Sequence, residues 1–176
     1  MVLIPVSPLF AGKVYYTSLN SGASTFAVYD TSTNIWTSLN PYDTSTQMAV
    51  DASGNLYAYN SNSNAIELYN PLTDSWSFVM AGPGTTPSFG NLEITNSGRF
   101  LYTDGSPVDN LLYYSDGGGV WNTTALPFQP NAQGDYDPTT NQYVIGEWVT
   151  NTAHLVDPTT FAVTSFLPAV NPSSEH

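Results

Sequence analysis

Hydrophobic residues along this chain fall in short alternating or continuous runs, each cut off by clusters of Gly, Asn, Asp, Ser and Pro. A period of two built from Val, Tyr, Phe and Leu marks half-buried β-strands, because successive side chains of a strand point to opposite faces. No apolar stripe with a period of 3.6 reaches helical length. One stretch shows the pattern completely. Residues 46–50 read as a strand, Asp51-Ala52-Ser53-Gly54 as a tight turn, and 55–59 as a second strand. Residues 65–69 follow as a third strand, Asn70-Pro71-Leu72-Thr73-Asp74 turns the chain again, and 75–80 form a fourth.

This unit recurs. Four aligned segments begin at Gly12, Gly54, Gly98 and Asn141, spaced by 42, 44 and 43 residues. Residues 1–10 supply the first strand of the first unit. A repeat in the forties without helix is the spacing of propeller blades. The chain is therefore expected to be all-β, a β-propeller of four four-stranded antiparallel blades. The propeller domain spans 1–170, with blades at about 1–40, 41–82, 83–126 and 127–170, and a tail at 171–176. Three closures fit four units: a four-bladed ring, a homodimer paired through open blade edges into an eight-bladed ring, or a piece of a larger propeller.

The third-to-fourth-strand hairpins carry a more specific signal. Tyr29-Asp30-Thr31-Ser32-Thr33-Asn34-Ile35-Trp36 and Tyr69-Asn70-Pro71-Leu72-Thr73-Asp74-Ser75-Trp76 share one pattern, and the stretch from Val156-Asp157-Pro158 to Phe161 is a weaker copy. These hairpins resemble those of kelch repeats. Asp116-Gly117-Gly118-Gly119-Val120-Trp121 in the third unit is similar to the Asp-box hairpin of sialidase-like propellers. Asp or Asn in such turns bonds backbone amides two residues on, and the aromatic packs between blades. Trp36, Trp76 and Trp121 are accordingly expected in the seams. The resemblance implies a fold and little about activity.

Charge narrows the partners. Lys13 and Arg99 are the only long cations against fourteen carboxylates, for a formal net charge of −12. Phosphate backbones need several Lys or Arg contacts, so nucleic acid and anionic membrane are poor partners. No run of about 18 apolar residues would insert into a bilayer. A surface of Ser, Thr, Asn and Tyr with few charges suits an extracellular, cell-surface or virion-surface module. Cysteine is absent, which removes disulfides and thiolate chemistry. One glycosylation sequon stands at Asn122-Thr123-Thr124.

In a propeller the two-three and four-one connections share a face. Alignment places Ser18, Asn60, Asp104 and Glu147 at one position there, with Tyr16, Tyr59, Tyr102 and Trp148 beside them. The four-one connections add Pro41-Tyr42-Asp43, Gly82-Pro83-Gly84 and Pro127-Phe128-Gln129. Polar acceptors beside aromatic faces suit a sugar, whose C–H surfaces cover a ring while its hydroxyls meet carboxylates and amides. The first strands point Glu93, Asp135 and Asp137 towards the axis. These oxygens invite comparison with a Ca²⁺ site, but a water-filled channel is the simpler expectation and no metal is assigned. Asp135 with Glu93 or Glu147 is a conceivable glycosidase pair. A single arginine argues against sialidase chemistry, and His154, a lone strand histidine, is expected to be structural. His176 is terminal, and no phosphate loop is present.

The sequence thus reads as a non-enzymatic binding or interaction module without cofactors, displaying loops to a protein or glycan ligand. A lectin-like propeller is the alternative, and a glycan-processing enzyme is the remote one.

Overall fold

The computed structural model describes residues 2–3, 13–20, 23–39, 47–84, 90–104, 109–147, 150 and 152–166. Sixteen strands lie among them, with no helix, in four antiparallel sheets of four strands arranged as propeller blades. Blade one holds β1 (Val2–Leu3), β2 (Lys13–Asn20), β3 (Ala23–Asp30) and β4 (Ile35–Leu39). Blade two holds β5 (Gln47–Val50), β6 (Leu56–Asn60), β7 (Ala65–Asn70) and β8 (Ser75–Ala81). Blade three holds β9 (Asn91–Ile94), β10 (Phe100–Thr103), β11 (Leu111–Ser115) and β12 (Asn122–Ala125). Blade four holds β13 (Pro130–Asp137), β14 (Gln142–Glu147), β15 (Ala153–Val156) and β16 (Val163–Phe166). The strands pair in chain order within every blade, so local hairpins build the whole sheet. Among the first strands, β9 lies against both β5 and β13.

Alternation gives each blade two faces, and each seam joins the far face of one blade to the near face of the next. Tyr15, Phe26, Val28 and Leu39 of blade one meet Met48, Leu56, Ala58, Tyr69 and Trp76 of blade two. Tyr59, Ile66 and Met80 of blade two meet Leu92, Ile94, Phe100, Tyr102 and Trp121 of blade three. Leu101, Leu112 and Leu126 of blade three meet Tyr136, Tyr143, Ile145 and Val156 of blade four. The two seam tryptophans act alike. The Trp76 ring lies 5.6 Å from Phe26 of the preceding blade, and Trp121 Nε1 donates to the Ala81 carbonyl at 2.8 Å.

Two expectations about aromatics change. Trp36 occupies the register of Trp76, opposite Tyr29 as Trp76 is opposite Tyr69, yet it remains 55 % exposed. Its face looks away from blade two. In blade four the same register brings Val163 opposite Val156, so Val163 and not Phe161 takes the tryptophan position. Phe161 instead sits in the turn with φ 60° and packs on Tyr114 of blade three, ring centroids 4.7 Å apart.

A latch in the hairpins explains how four-residue turns recur on different strand pairs. Tyr29, Tyr59, Tyr69 and Tyr136 each donate a phenolic hydrogen bond to Asn34, Asn64, Asp74 and Asn141, five residues on. All four acceptors have left-handed backbones, with φ between 47° and 59°. Asn and Asp tolerate that region better than other side chains. The residue after each tyrosine closes the turn from the other side. Asp30 accepts from Ser32 N, Asn60 from Asn62 N, Asn70 from Leu72 N and Asp137 from Thr139 N. We expect Asn141→Ala to lower stability by about 1–2 kcal/mol, since it loses both the Tyr136 bond and a residue suited to positive φ. Asn141→Gly should recover only the backbone share, as thermal denaturation of the two variants would show.

Asp116 departs from the Asp-box pattern. Three consecutive glycines, Gly117 to Gly119, make its turn with φ of 101°, 70° and 75°, values that L side chains avoid. Ser115 Oγ, not Asp116, bonds the Gly117 amide at 3.2 Å. The Asp116 carboxylate faces Arg99 across the sheet.

Candidate functional site

The two-three and four-one connections of blades three and four frame an open pocket of about 430 Å³. Its wall comes from three places. Asp109 and Asn110 precede β11, Leu126, Pro127, Phe128 and Gln129 connect β12 to β13, Glu147 ends β14, and Thr150 follows it. The local sequence positions each group. Asp109 Oδ1 accepts from Leu111 N at 3.3 Å, which fixes the entry into β11. Asn110 ties the two walls together, because its side-chain amide donates to the Leu126 carbonyl at 2.6 Å and its own carbonyl accepts from Leu126 N at 2.7 Å. Phe128 turns inward and is buried.

Behind the pocket stands His154, buried on β15 at 5 % exposure. Its ring stacks on Phe128 with centroids 3.6 Å apart and planes 6° from parallel. Nε2 lies 3.4 Å from Glu147 Oε2, and Nδ1 lies 2.9 Å from Ser165 Oγ. An ionised carboxylate only accepts, so the Glu147 contact requires the proton on Nε2 and leaves Nδ1 of a neutral ring to accept from Ser165. Thr150 Oγ1 donates to the same carboxylate oxygen of Glu147. Glu147 is thus aimed by two partners while it lines the pocket. The sequence pointed only to a lone strand histidine and gave no sign of its contact with Glu147.

The aligned polar ring separates into unlike members. Glu147 lines the pocket. Asn60 caps its own turn through Ser63 N as well as Asn62 N, and Asp104 is half-buried beside it in the alignment, outside the pocket wall. Ser18 belongs to β2, with its side chain outside the described part, and Trp148 and residues 41–43 lie outside the described residues. The aromatics expected beside the ring are corrected. Tyr59 and Tyr102 are wholly buried in the seam between blades two and three, with ring centroids 5.2 Å apart, so neither shows a face to solvent. The signal for the aromatic that does line the pocket was the four-one connection containing Phe128.

At the axis a second polar group forms. Asn91 Nδ2 reaches Glu93 Oε1 at 3.3 Å, the Gly134 carbonyl at 3.0 Å and Tyr143 Oη at 3.1 Å. Burial, with Asp135 nearby, pushes Glu93 up to about 8, and burial also raises Asp135. Neither lines the pocket, so the carboxylates gathered there are Asp109 and Glu147, in place of the pairs drawn from Asp135. Among the described residues, no three His, Asp or Glu side chains gather to hold a metal ion.

No protein-family model matches the chain, and no curated protein matches its sequence. Solved structures do match. TolB from Acinetobacter baumannii superposes with a TM-score of 0.71 at 16 % identity, over 91 % of this chain and 42 % of that one. A catalytically inactive histidine-to-alanine variant of virginiamycin B lyase from Staphylococcus aureus, solved with quinupristin, gives 0.64 at 14 % identity, over 96 % and 56 %. Hydrazine synthase of Kuenenia stuttgartiensis gives 0.63 at 16 %, over 88 % and 45 %. The chain spans about half the length of these structures, and the likeness is one of fold. It corrects the expectation that the chain is not an enzyme. A lyase and a synthase share this arrangement of blades, so the architecture excludes no chemistry. Among the described residues no helix is long and apolar enough to cross a membrane.

Proposed function

We propose that this chain is a ligand-binding propeller whose pocket between blades three and four takes a hydroxyl-rich ligand, with carbohydrate as the class. One observation carries the reading: exposed Pro127, backed by the largely buried Leu126 and Phe128, stands in the same cavity as Asp109, Asn110, Gln129, Glu147 and Thr150. Carboxylate and amide oxygens accept from sugar hydroxyls, amide nitrogens donate back, and Pro127 receives the C–H face. The dearth of cations and the neutral polar surface support display outside the cell. The kelch-like hairpins, with Tyr69 and Trp76 packed on blade one, support kinship with propellers used for recognition.

Glycan-array binding followed by calorimetry tests the proposal. Selective, saturable binding is expected, with Glu147→Gln and Asp109→Asn each weakening it about tenfold or more, as loss of a charge-assisted hydrogen bond implies. Binding untouched by both changes would place the ligand elsewhere.

The Glu147–His154 pair favours a second reading, glycan processing, in which Glu147 moves a proton at the ligand and His154 positions it. Turnover of a bound glycan, abolished in Glu147→Gln while binding persists, would select this reading over simple recognition.

A further inference from the structure

We infer that the ligand of the pocket between blades three and four carries a protonated amine, and that its class is an unacetylated amino sugar. The inference rests on the carbohydrate reading above and narrows it by charge. Asp109 and Glu147 both line the pocket, and no Lys or Arg stands in its wall. The protein leaves an oxygen of each carboxylate open. His154 and Thr150 both meet Oε2 of Glu147, so Oε1 has no partner among the described residues. Asp109 accepts from Leu111 N through Oδ1, which leaves Oδ2 in the same condition.

The placement of charge along the blades explains why these groups stay uncompensated. Lys13 and Arg99 are the only long cations in the sequence. Lys13 opens β2 in register with Asp30, and Arg99 stands immediately before β10. Both positions belong to the end of the blades that carries the one-two and three-four turns. Arg99 is also held there by Asp116 and the Pro158 carbonyl. The pocket lies at the opposite end, where Asp104, directly after β10, adds a third carboxylate. Burial, followed by the charges of Asp109 and Asp104, pushes the Tyr113 hydroxyl above its ordinary value, as a negative field at this end of blade three would. Among the described residues no three His, Asp or Glu side chains gather to hold a metal ion that could answer this field. An ammonium on a hydroxylated ring answers it directly. It brings three donors and no acceptor to carboxylate oxygens that only accept. Such charge-assisted bonds are about twice as strong as neutral ones, so the amine adds to what hydroxyls already gain.

Calorimetric titration of the purified chain with three β-1,4-linked disaccharides tests this. Diglucosamine, its N,N′-diacetyl form and cellobiose share one skeleton and differ at the second carbon, which carries an ammonium, an acetamide or a hydroxyl. At about pH 6 and low salt, the ammonium form should bind about tenfold tighter than the other two. Added salt should shrink that margin, because the pocket is open to solvent. Glu147→Gln and Asp109→Asn combined in one chain should erase it. Asp116→Asn, at the opposite end of the blades, should leave it intact. Equal binding of the three sugars, weakened alike in Glu147→Gln, would overturn the amine and leave the carbohydrate pocket standing. Binding of none would overturn both. A margin that falls as far in Asp116→Asn as in the pocket variant would report net charge alone and overturn the inference. So would binding that needs added Ca²⁺, which would assign the charge to a metal.

Discussion

Glu93→Gln is expected to stabilise the protein at pH 8 by on the order of 3 kcal/mol and to flatten its dependence on pH. The cause lies at the centre of the propeller. Glu93 on β9 faces Asn91, Tyr143 and the backbone of β13, with Asp135 as its charged neighbour, and burial holds the carboxyl up to about 8 from an ordinary value of 4.5. Below pH 4.5 the group is protonated in both folded and unfolded chains and imposes no penalty. Between 4.5 and 8 the unfolded chain releases its proton while the folded chain retains it, so stability falls as pH rises, and above 8 the loss is complete. The turn aspartates Asp30, Asp116, Asp137 and Asp157 work oppositely. Their hydrogen bonds hold them below the ordinary carboxylate range, so their contribution is lost as acid protonates them. The wild-type protein should therefore be most stable near pH 4 to 5, as roughly the midpoint between these opposing titrations. Denaturant unfolding between pH 4 and 9 would show a decline that Glu93→Gln reduces to the smaller share left by Asp135. Parallel curves for the two proteins would contradict this account of the axis.

Arg99→Ala should destabilise by about 3 kcal/mol, which for a chain of this size lowers the melting temperature by roughly 6–12 °C. Arg99 uses every nitrogen of its guanidinium, two within blade three and one across the seam to blade four. Nε and Nη2 donate to the two oxygens of Asp116 at 2.6 and 3.1 Å, and Nη1 donates to the Pro158 carbonyl of blade four at 2.6 Å. Its Cζ lies 5.2 Å from the ring centre of Tyr114 and 5.6 Å from that of Phe161. The ion pair alone would count for little, because Asp116 is 66 % exposed. The larger share comes from the bond to Pro158 and the two rings, which bridge the seam. Arg99→Lys should recover under half of the loss, because an ammonium cannot present the planar fork to Asp116 and Pro158 together. Asp116→Asn should cost under about 1 kcal/mol by the same reasoning. An equal loss in Asp116→Asn and Arg99→Ala would shift the weight back to the ion pair.

The blade pattern was legible because the seams are made of the residues that set it. Leu56, Ala58, Ile66 and Tyr69 alternate in sequence and divide between the two faces of blade two in space, and turn residues such as Asp51 and Asn70 punctuate the strands. Function was less legible because the aligned positions after each second strand do different work. Glu147 lines a pocket, while Asn60 satisfies two amides of its own turn. Tyr59 and Tyr102 looked like exposed rings beside a ligand face, but in a strand one residue decides between seam and solvent, and both fall in the seam. His154 has no local signal at all. Its partners Phe128, Glu147 and Ser165 come from three separate elements, and only folding brings them together.

The site assignment is tested most directly by an amide NMR titration of the ¹⁵N-labelled chain with oligosaccharide fragments. Saturable shifts should cluster at Asp109–Asn110, Leu126–Gln129 and Glu147–Thr152, and should vanish in Glu147→Ala. No shifts at saturating sugar, or shifts confined to the opposite face of the blades, would contradict it.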